Sequence, residues 1–122
     1  MIIERANNEY WGRVDVNNNL IIESAPSLEK LKKKIQKAVS DIEKIEVDTY
    51  EVSYDLTSFF EQYSYLNISN IAKRANISPL LMRQYSAGIK FPSGKRVKEI
   101  ELAIKEIGKE LSRVKLHKRE IV

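Results

Sequence analysis

The segment from Ile68 to Tyr85, ISNIAKRANISPLLMRQY, constrains this chain most, because it predicts two short helices separated by a tight turn. Apolar residues recur at helical spacing in its first part, at Ile68, Ile71, Ala72 and Ala75. Asn76 tolerates the positive φ of a helix exit, and Ser78 before Pro79 is typical of an N-cap and first helical residue. We call this segment the helix pair.

The second helix of the pair is predicted to have a buried and an outward side. Ile77 is expected to lie beneath the turn, and the buried positions of the helix are Leu81, Met82 and Tyr85. The residues left on the outward side are Leu80, Arg83, Gln84 and Ala87. A helix face of this size and polarity fits the major groove of DNA.

The helix pair resembles the helix-turn-helix signature of Cro- and phage-repressor-like regulators. Ala72 matches the small residue that lets the two helices approach, and Asn76 stands where that family most often has glycine. Ile77, Met82 and Tyr85 match its apolar anchor positions. The resemblance implies binding to double-stranded DNA, and the alternative is a purely structural helical hairpin.

Charge is unevenly distributed along the chain. The net charge is +4, but the first 65 residues carry 8 Lys or Arg against 12 Asp or Glu, whereas the remainder carries 13 against 5. The basic excess therefore lies in the half that holds the helix pair, which favours a polyanionic partner. The alternative is a solvated, lysine-rich surface.

Length and composition set further bounds. A chain of 122 residues forms one domain or two very small ones. The absence of cysteine excludes disulfides and thiolate metal sites and fits a reducing compartment. No apolar run approaches the roughly 20 residues of a membrane span, and no signal peptide is visible. We therefore expect a cytoplasmic protein.

The first half predicts a βββαβ order. Short apolar or alternating runs predict strands at 1–3, 10–16 and 20–22. The first run ends at Asn7-Asn8, and a hairpin turn is predicted at 17–19. A helix is predicted from Leu28 to about Lys44, and alternation at 50–56 predicts a fourth strand. The buried positions of that helix would be Leu28, Leu31, Ile35, Ala38 and Ile42. Its lysine run at 30–37 is either a solvated helix back or a nucleic-acid patch.

The second half predicts helices on both sides of the helix pair. Ser58 with Glu61 fits a capping box for a short helix that buries Phe59, Phe60 and Tyr63. After Gly88, Phe91 is expected to plug the core. The last helix carries an apolar seam of Val97, Ile100, Ile104, Ile107, Leu111 and Val114. This seam either packs on the other helices or forms a two-fold interface.

A βββαβ unit followed by this helix pair resembles a HicB-type antitoxin with a C-terminal Cro-like DNA-binding domain. Three stretches carry the likeness: EYWGRVDV to NLIIES, SLEKLKKKIQKAVSDI, and ISNIAKRANISPLLMRQYSAGIKFPS. The resemblance implies an α+β fold, with a HicB-like, partly ribonuclease-H-like domain at 1–56 and a helix-turn-helix domain at 57–122.

The resemblance also implies a function in two parts. The C-terminal domain would repress its own promoter as a homodimer or higher oligomer, and residues 1–56 would neutralise a small basic ribonuclease toxin of the HicA type. Arg83, Gln84 and Leu80 are expected to contact base edges, beside Ala87. Ser78, Lys90 and Lys95 are expected to hold phosphates. No cofactor, metal or enzymatic activity is expected.

Two other functions remain open at this point. The first is a stand-alone transcriptional regulator whose first half only dimerises or senses a ligand. The second is a metal-dependent nuclease, considered because four carboxylates lie near predicted strands. These are Glu4, Asp15, Glu23 and Asp55.

Overall fold

The computed structural model describes residues 1–42 and 51–121, which form an α+β fold with a four-stranded mixed sheet and five helices. The strands are β1 (Ile2–Ala6), β2 (Glu9–Val16), β3 (Asn19–Ala25) and β4 (Ser53–Tyr54). The helices are α1 (Leu28–Ile42), α2 (Leu56–Gln62), α3 (Ile68–Arg74), α4 (Pro79–Ser86) and α5 (Gly94–Ser112). None of these helices combines the length and apolar character needed to cross a membrane.

Two asparagine pairs fold β1, β2 and β3 into consecutive hairpins. Asn7 and Asn8 have φ of 53° and 59°, and Asn17 and Asn18 have φ of 50° and 64°. Two successive residues with positive φ form the type I′ turn whose twist matches that of antiparallel strands. The turn predicted at 17–19 is therefore confirmed, although Asn19 belongs to β3 rather than to the loop, and Asn7-Asn8 forms a second turn of the same kind.

The predicted fourth strand is too long. Only Ser53 and Tyr54 pair with β1, in parallel, which gives the sheet order β3-β2-β1-β4. The strand ends because the Asp55 side chain caps α2 by accepting from the Ser58 N–H at 2.8 Å, and Leu56 is already helical. The predicted positions Tyr50 and, for the end of α1, Lys44 lie outside the described residues.

The first hydrophobic core lies between the sheet and α1. Its fully buried side chains include Ile3, Leu31, Ile35 and Val39. The predicted buried positions of α1 are corrected here, since Val39 fills the core while Ala38 is half-buried and Ile42 is 41% exposed. In the described chain, α1 covers only one face of the sheet.

Gly12 allows the close approach of α1 to β2. A Cβ atom at this position would lie 2.5 Å from Ile35 Cδ1 and 3.2 Å from Leu31 Cδ2, and both side chains are fully buried. Gly12→Val should therefore lower the free energy of unfolding by about 1–3 kcal/mol, measured by urea denaturation. Gly108→Ala is the matched control, because a Cβ there meets nothing within 4 Å and should stabilise α5 by about 0.5–1 kcal/mol. Equal losses in both variants would contradict this account.

The second hydrophobic core is built by α2 to α5. Its buried members are Phe60, Ile71, Ala72, Ile77, Met82, Tyr85 and Ile100. The capping box predicted at Ser58 is wrong, because Asp55 caps α2 and Ser58 lies inside the helix, fully buried. The N-cap thus lies three residues before the predicted one, directly after the end of β4.

The exposed fractions of the side chains correct two expectations for the second half, one for Phe91 and one for the apolar seam of α5. Phe91 is 79% exposed and does not plug the core. In α5, Ile100 is buried and the next two seam residues are half-buried, whereas Val97 and Leu111 are 39% and 62% exposed. Val114 follows the helix and is 58% exposed. The seam packs only at its middle, because α5 extends beyond the helices that it contacts.

A polar cluster joins the two cores. The Tyr10 hydroxyl donates to the Glu61 carboxylate, whose Oε2 also lies 3.5 Å from Arg5 Nε. The Arg5 guanidinium stacks 4.4 Å from the centre of the Tyr10 ring. The backbone N–H of Arg5 donates to Asp55 Oδ2 at 3.0 Å. Burial, followed by the hydrogen bond to Glu61, raises the pKa of Tyr10 to about 12. We call these four residues the junction cluster.

The raised pKa of Tyr10 predicts a loss of stability at alkaline pH. The unfolded chain has a tyrosine pKa of about 10, so the contribution of the neutral hydroxyl is complete below about pH 10 and is lost as pH rises toward 12. The difference in free energy of unfolding between the wild type and Tyr10→Phe should be constant below that range and shrink within it. Parallel curves for the two proteins would contradict the assignment.

Candidate nucleic-acid interface

The turn of the helix pair has the geometry that its sequence predicts. Asn67 caps α3 by accepting from the Asn70 N–H at 3.0 Å. At the other end Asn76 has φ of 58°, and the Ile77 N–H donates to the Ala72 carbonyl at 2.9 Å. The left-handed residue therefore ends α3 and turns the chain at once, which confirms the prediction for Asn76.

A serine cap starts α4 at the predicted place. Ser78 has extended backbone, with φ −62° and ψ 139°, and its Oγ accepts from the Leu81 N–H at 3.1 Å. Pro79 is the first helical residue, where its lack of an N–H costs nothing. Both the start and the direction of α4 are thus fixed by local sequence.

The inner side of α4 is anchored in the second core. Met82 is fully buried and Tyr85 is 7% exposed, as predicted, while Leu81 is only half-buried. Thr57 Oγ1 donates to the Tyr85 carbonyl at 3.2 Å, which ties the end of α4 to α2. Sequence analysis missed Thr57, because a contact across 28 residues leaves no local pattern.

The outer side of α4 presents three of its four predicted residues fully. Leu80 is 64% exposed, and Arg83 and Ala87 are also exposed. Gln84 differs from the expectation, because it is half-buried. Its backbone carbonyl accepts from the N–H groups of Ile89 and Lys90, at 3.0 and 3.3 Å, so the following loop folds back over this part of the helix.

Ser69 of α3 holds the side chain of Arg83. Arg83 Nη1 donates to Ser69 Oγ at 3.2 Å. A guanidinium has five N–H donors in a planar fork, so this bond orients the group and leaves donors for a ligand. Sequence analysis gives no binding role to Ser69, because its contact with Arg83 joins residues 14 positions apart and leaves no local pattern.

The two remaining lysines lie beyond α4. Gly88, with φ of 74°, ends the helix, and Lys90 follows in the loop that returns to α4. Lys95 lies in the first turn of α5 and is exposed. In the described chain no hydrogen bond or ion pair joins Lys95 to α4, so the structure groups Lys90, but not Lys95, with the outer side of that helix.

The segment around the helix pair carries positive charge alone. Residues 62–98 contain seven Lys or Arg and no Asp or Glu. Arg74 is bound by both carboxylate oxygens of Glu110, at 2.6 and 2.9 Å, a contact that lowers the pKa of Glu110. Arg96 lies 3.7 Å from Glu99. Within the described residues, the other five cations form no ion pair and can attract a polyanion.

The carboxylates considered for metal binding do not converge. Glu4 lies 3.6 Å from Arg13 on the uncovered face of the sheet, where Asp15 is also exposed. Glu23 lies on the opposite face, and Asp55 is engaged in the junction cluster. No three His, Asp or Glu side chains of the described residues are placed to hold a metal ion together.

Comparisons of the chain with protein-family models, with curated proteins and with solved structures find no match.

Proposed function

We propose that this protein is a DNA-binding transcriptional repressor of the HicB antitoxin type. In this proposal the helix pair is a helix-turn-helix unit, and α4 is the recognition helix that enters the major groove. Leu80 and Arg83 contact base edges, with Gln84 in a secondary role because it is half-buried. Ser78 and Lys90 contact phosphates.

One observation carries the proposal. The capped, core-anchored helix α4 exposes Leu80 and an oriented Arg83 within a segment that has no acidic residue. A structural hairpin needs the buried side of such a helix, but it gives no reason for an exposed leucine beside an arginine in an uncompensated positive field. Groove recognition accounts for both features: the positive charge attracts the phosphates, and the exposed side chains contact the base edges.

The antitoxin part of the proposal rests on the charge of the first half. Residues 1–65 carry a net charge of −4, which complements a small basic ribonuclease of the HicA type. The competing candidate is a stand-alone regulator. Co-expression with a small basic protein encoded beside this chain, followed by co-purification, separates the two. A stable complex supports the antitoxin, and a genome neighbourhood without such a protein supports the regulator.

The DNA-binding proposal is tested with sequences selected from a random duplex pool. Arg83→Ala should weaken binding to the selected duplex by about 1–3 kcal/mol and have little effect on a shuffled duplex, because a bidentate base contact is lost. Lys90→Ala should weaken both duplexes alike and reduce the slope of log K against log salt by about 1. Fluorescence anisotropy at several salt concentrations measures both effects.

Lys105→Ala is the matched control for loss of charge. Lys105 lies on α5 and pairs with Glu101 at 3.0 Å, so its removal should leave the affinity for either duplex unchanged. The placement of the recognition face is contradicted when Arg83→Ala binds the selected duplex as tightly as the wild type. The repressor function itself is contradicted when no sequence is enriched from the pool.

A further inference from the structure

The outer edge of the sheet at β3 is unpaired in the described chain. The sheet order places β3 at one end and β2 as its only neighbour. Strand edges of this kind present a row of free N–H and C=O groups, which is a template for pairing with another strand. The opposite edge differs, because β4 there has only two residues.

The hairpin register determines which residues of β3 have backbone N–H and C=O groups that point away from β2. The two-residue turn makes Val16 and Asn19 a hydrogen-bonded pair, and the pairs then alternate. Ile21, Glu23 and Ala25 therefore bond to β2. The backbone groups of Leu20, Ile22 and Ser24 point away from the sheet. Among the described residues only Lys34 contacts this row, through Nζ and the Ser24 carbonyl at 2.8 Å.

The side chains of the same residues belong to the uncovered face of the sheet. Leu20 is 59% exposed and Ile22 is 55% exposed, beside Trp11 at 38% and Ile2 at 40%. Free backbone groups and exposed apolar side chains thus coincide on one short stretch. Either feature alone is common, but together they match the requirements of an added strand.

We propose that β3 pairs antiparallel with β3 of a second copy of this chain, about a two-fold axis at Ile22. In this register Ile22 lies opposite Ile22 of the second copy, and Leu20 lies opposite its Ser24. Every outward N–H then meets an outward C=O of the other copy. The Ser24 carbonyl has two lone pairs, so it accepts the new bond without losing Lys34.

The occupant is a second copy rather than a foreign strand because the edge is complementary to itself. Ser24 is the cross-strand neighbour of Trp11, and the pairing brings Leu20 of the second copy to its other side. A small serine between a tryptophan and a leucine leaves room for both side chains. The row formed by Ile2, Arg13 and Ile22 likewise continues into its own image across the axis.

This pairing deepens the proposed function, because it supplies the two-fold axis that a dimeric repressor needs. In that role it rests on the proposed function. Each chain has one recognition helix, which contacts one half-site, so binding to a palindromic operator requires a dimer. The association itself involves no DNA, so it can be measured separately. Failure of the dimer and failure of DNA binding are then distinct results.

Single cysteines test the register, because the chain has no cysteine of its own and any disulfide must join two copies. Opposed residues in a hydrogen-bonded pair have Cα atoms about 5.5 Å apart, within the disulfide range of about 4.4–6.8 Å. Ile22→Cys should therefore form a covalent dimer on mild oxidation. Leu20→Cys and Ser24→Cys should not cross-link alone, since like residues lie on the order of 13 Å apart, but a mixture of the two should.

The native mass completes the test. Without DNA and at micromolar concentration, analytical ultracentrifugation should give the wild type a molecular mass of twice the 14.1 kDa of one chain. Ile22→Pro removes an N–H that bonds no described atom and should be monomeric. Ile2→Lys should remain dimeric, because Ile2 lies on β1, two strands away from the pairing edge, and does not reach the second copy. A monomeric wild type, or a dimer without the Ile22→Cys cross-link, would overturn the proposal. A dimer with this cross-link that binds no duplex would support it and contradict the repressor function alone.

Discussion

Replacing Met82 with alanine should lower the free energy of unfolding by about 2–5 kcal/mol. Met82 is fully buried beneath the turn of the helix pair, where it packs in the core with Ile77 and Tyr85. Helices as short as α3 and α4, of seven and eight residues, are unstable alone and depend on this core. Urea denaturation measures the loss.

Leu80→Ala is the matched control on the same helix. Leu80 is 64% exposed, so its replacement should change the free energy of unfolding by no more than about 0.5 kcal/mol. The same variant should weaken binding to the selected duplex, because Leu80 is proposed to contact a base. A stable Leu80→Ala protein with full affinity would contradict this role, and a stable Met82→Ala protein would contradict the placement of the core.

Replacing Asp55 with alanine should lower the free energy of unfolding by about 2–4 kcal/mol. The carboxylate accepts the Ser58 N–H that caps α2 and the Arg5 N–H of β1, at 2.8 and 3.0 Å. Loss of a cap costs about 0.5–2 kcal/mol, and a part-buried N–H without a partner costs about 1–3 kcal/mol. Chemical denaturation followed by circular dichroism measures the sum.

Asp55→Asn separates the two contributions. Asparagine is as good an N-cap as aspartate, but its single carbonyl oxygen cannot serve both N–H groups as the carboxylate does. We expect Asp55→Asn to keep the cap and to lose only the second contribution, about 1–3 kcal/mol, and so to lose less than Asp55→Ala. Equal losses in the free energy of unfolding of Asp55→Asn and Asp55→Ala would mean that the negative charge of Asp55, rather than its two acceptor oxygens, provides the stabilisation.

Local chemistry made much of the fold predictable. The asparagine pairs at 7–8 and 17–18 adopt positive φ whatever they contact later, so both hairpins follow from adjacent residues. The cap at Ser78 and the exit at Asn76 are local in the same sense, and they place the helix pair correctly. The outward side of α4 then follows from helical periodicity, except at Gln84.

The misses are positions where a distant contact decides. Ser58 has the right spacing for a cap, but Asp55 takes that role because it also bonds β1, which is remote in sequence. Phe91 is apolar and follows a glycine, yet no side of the second core reaches it. Thr57 and Ser69 act on α4 through tertiary contacts, so no spacing rule identifies them.

The shared carboxylate of Asp55 also bears on whether α2 to α5 can be separated from the sheet. Because one side chain bonds β1 of the sheet and caps α2, any cut between the two halves removes one of these two contacts. A truncated protein, or a chimera that contains α2 to α5, should therefore begin at or before Asp55. One that starts at Leu56 would begin with an uncapped helix.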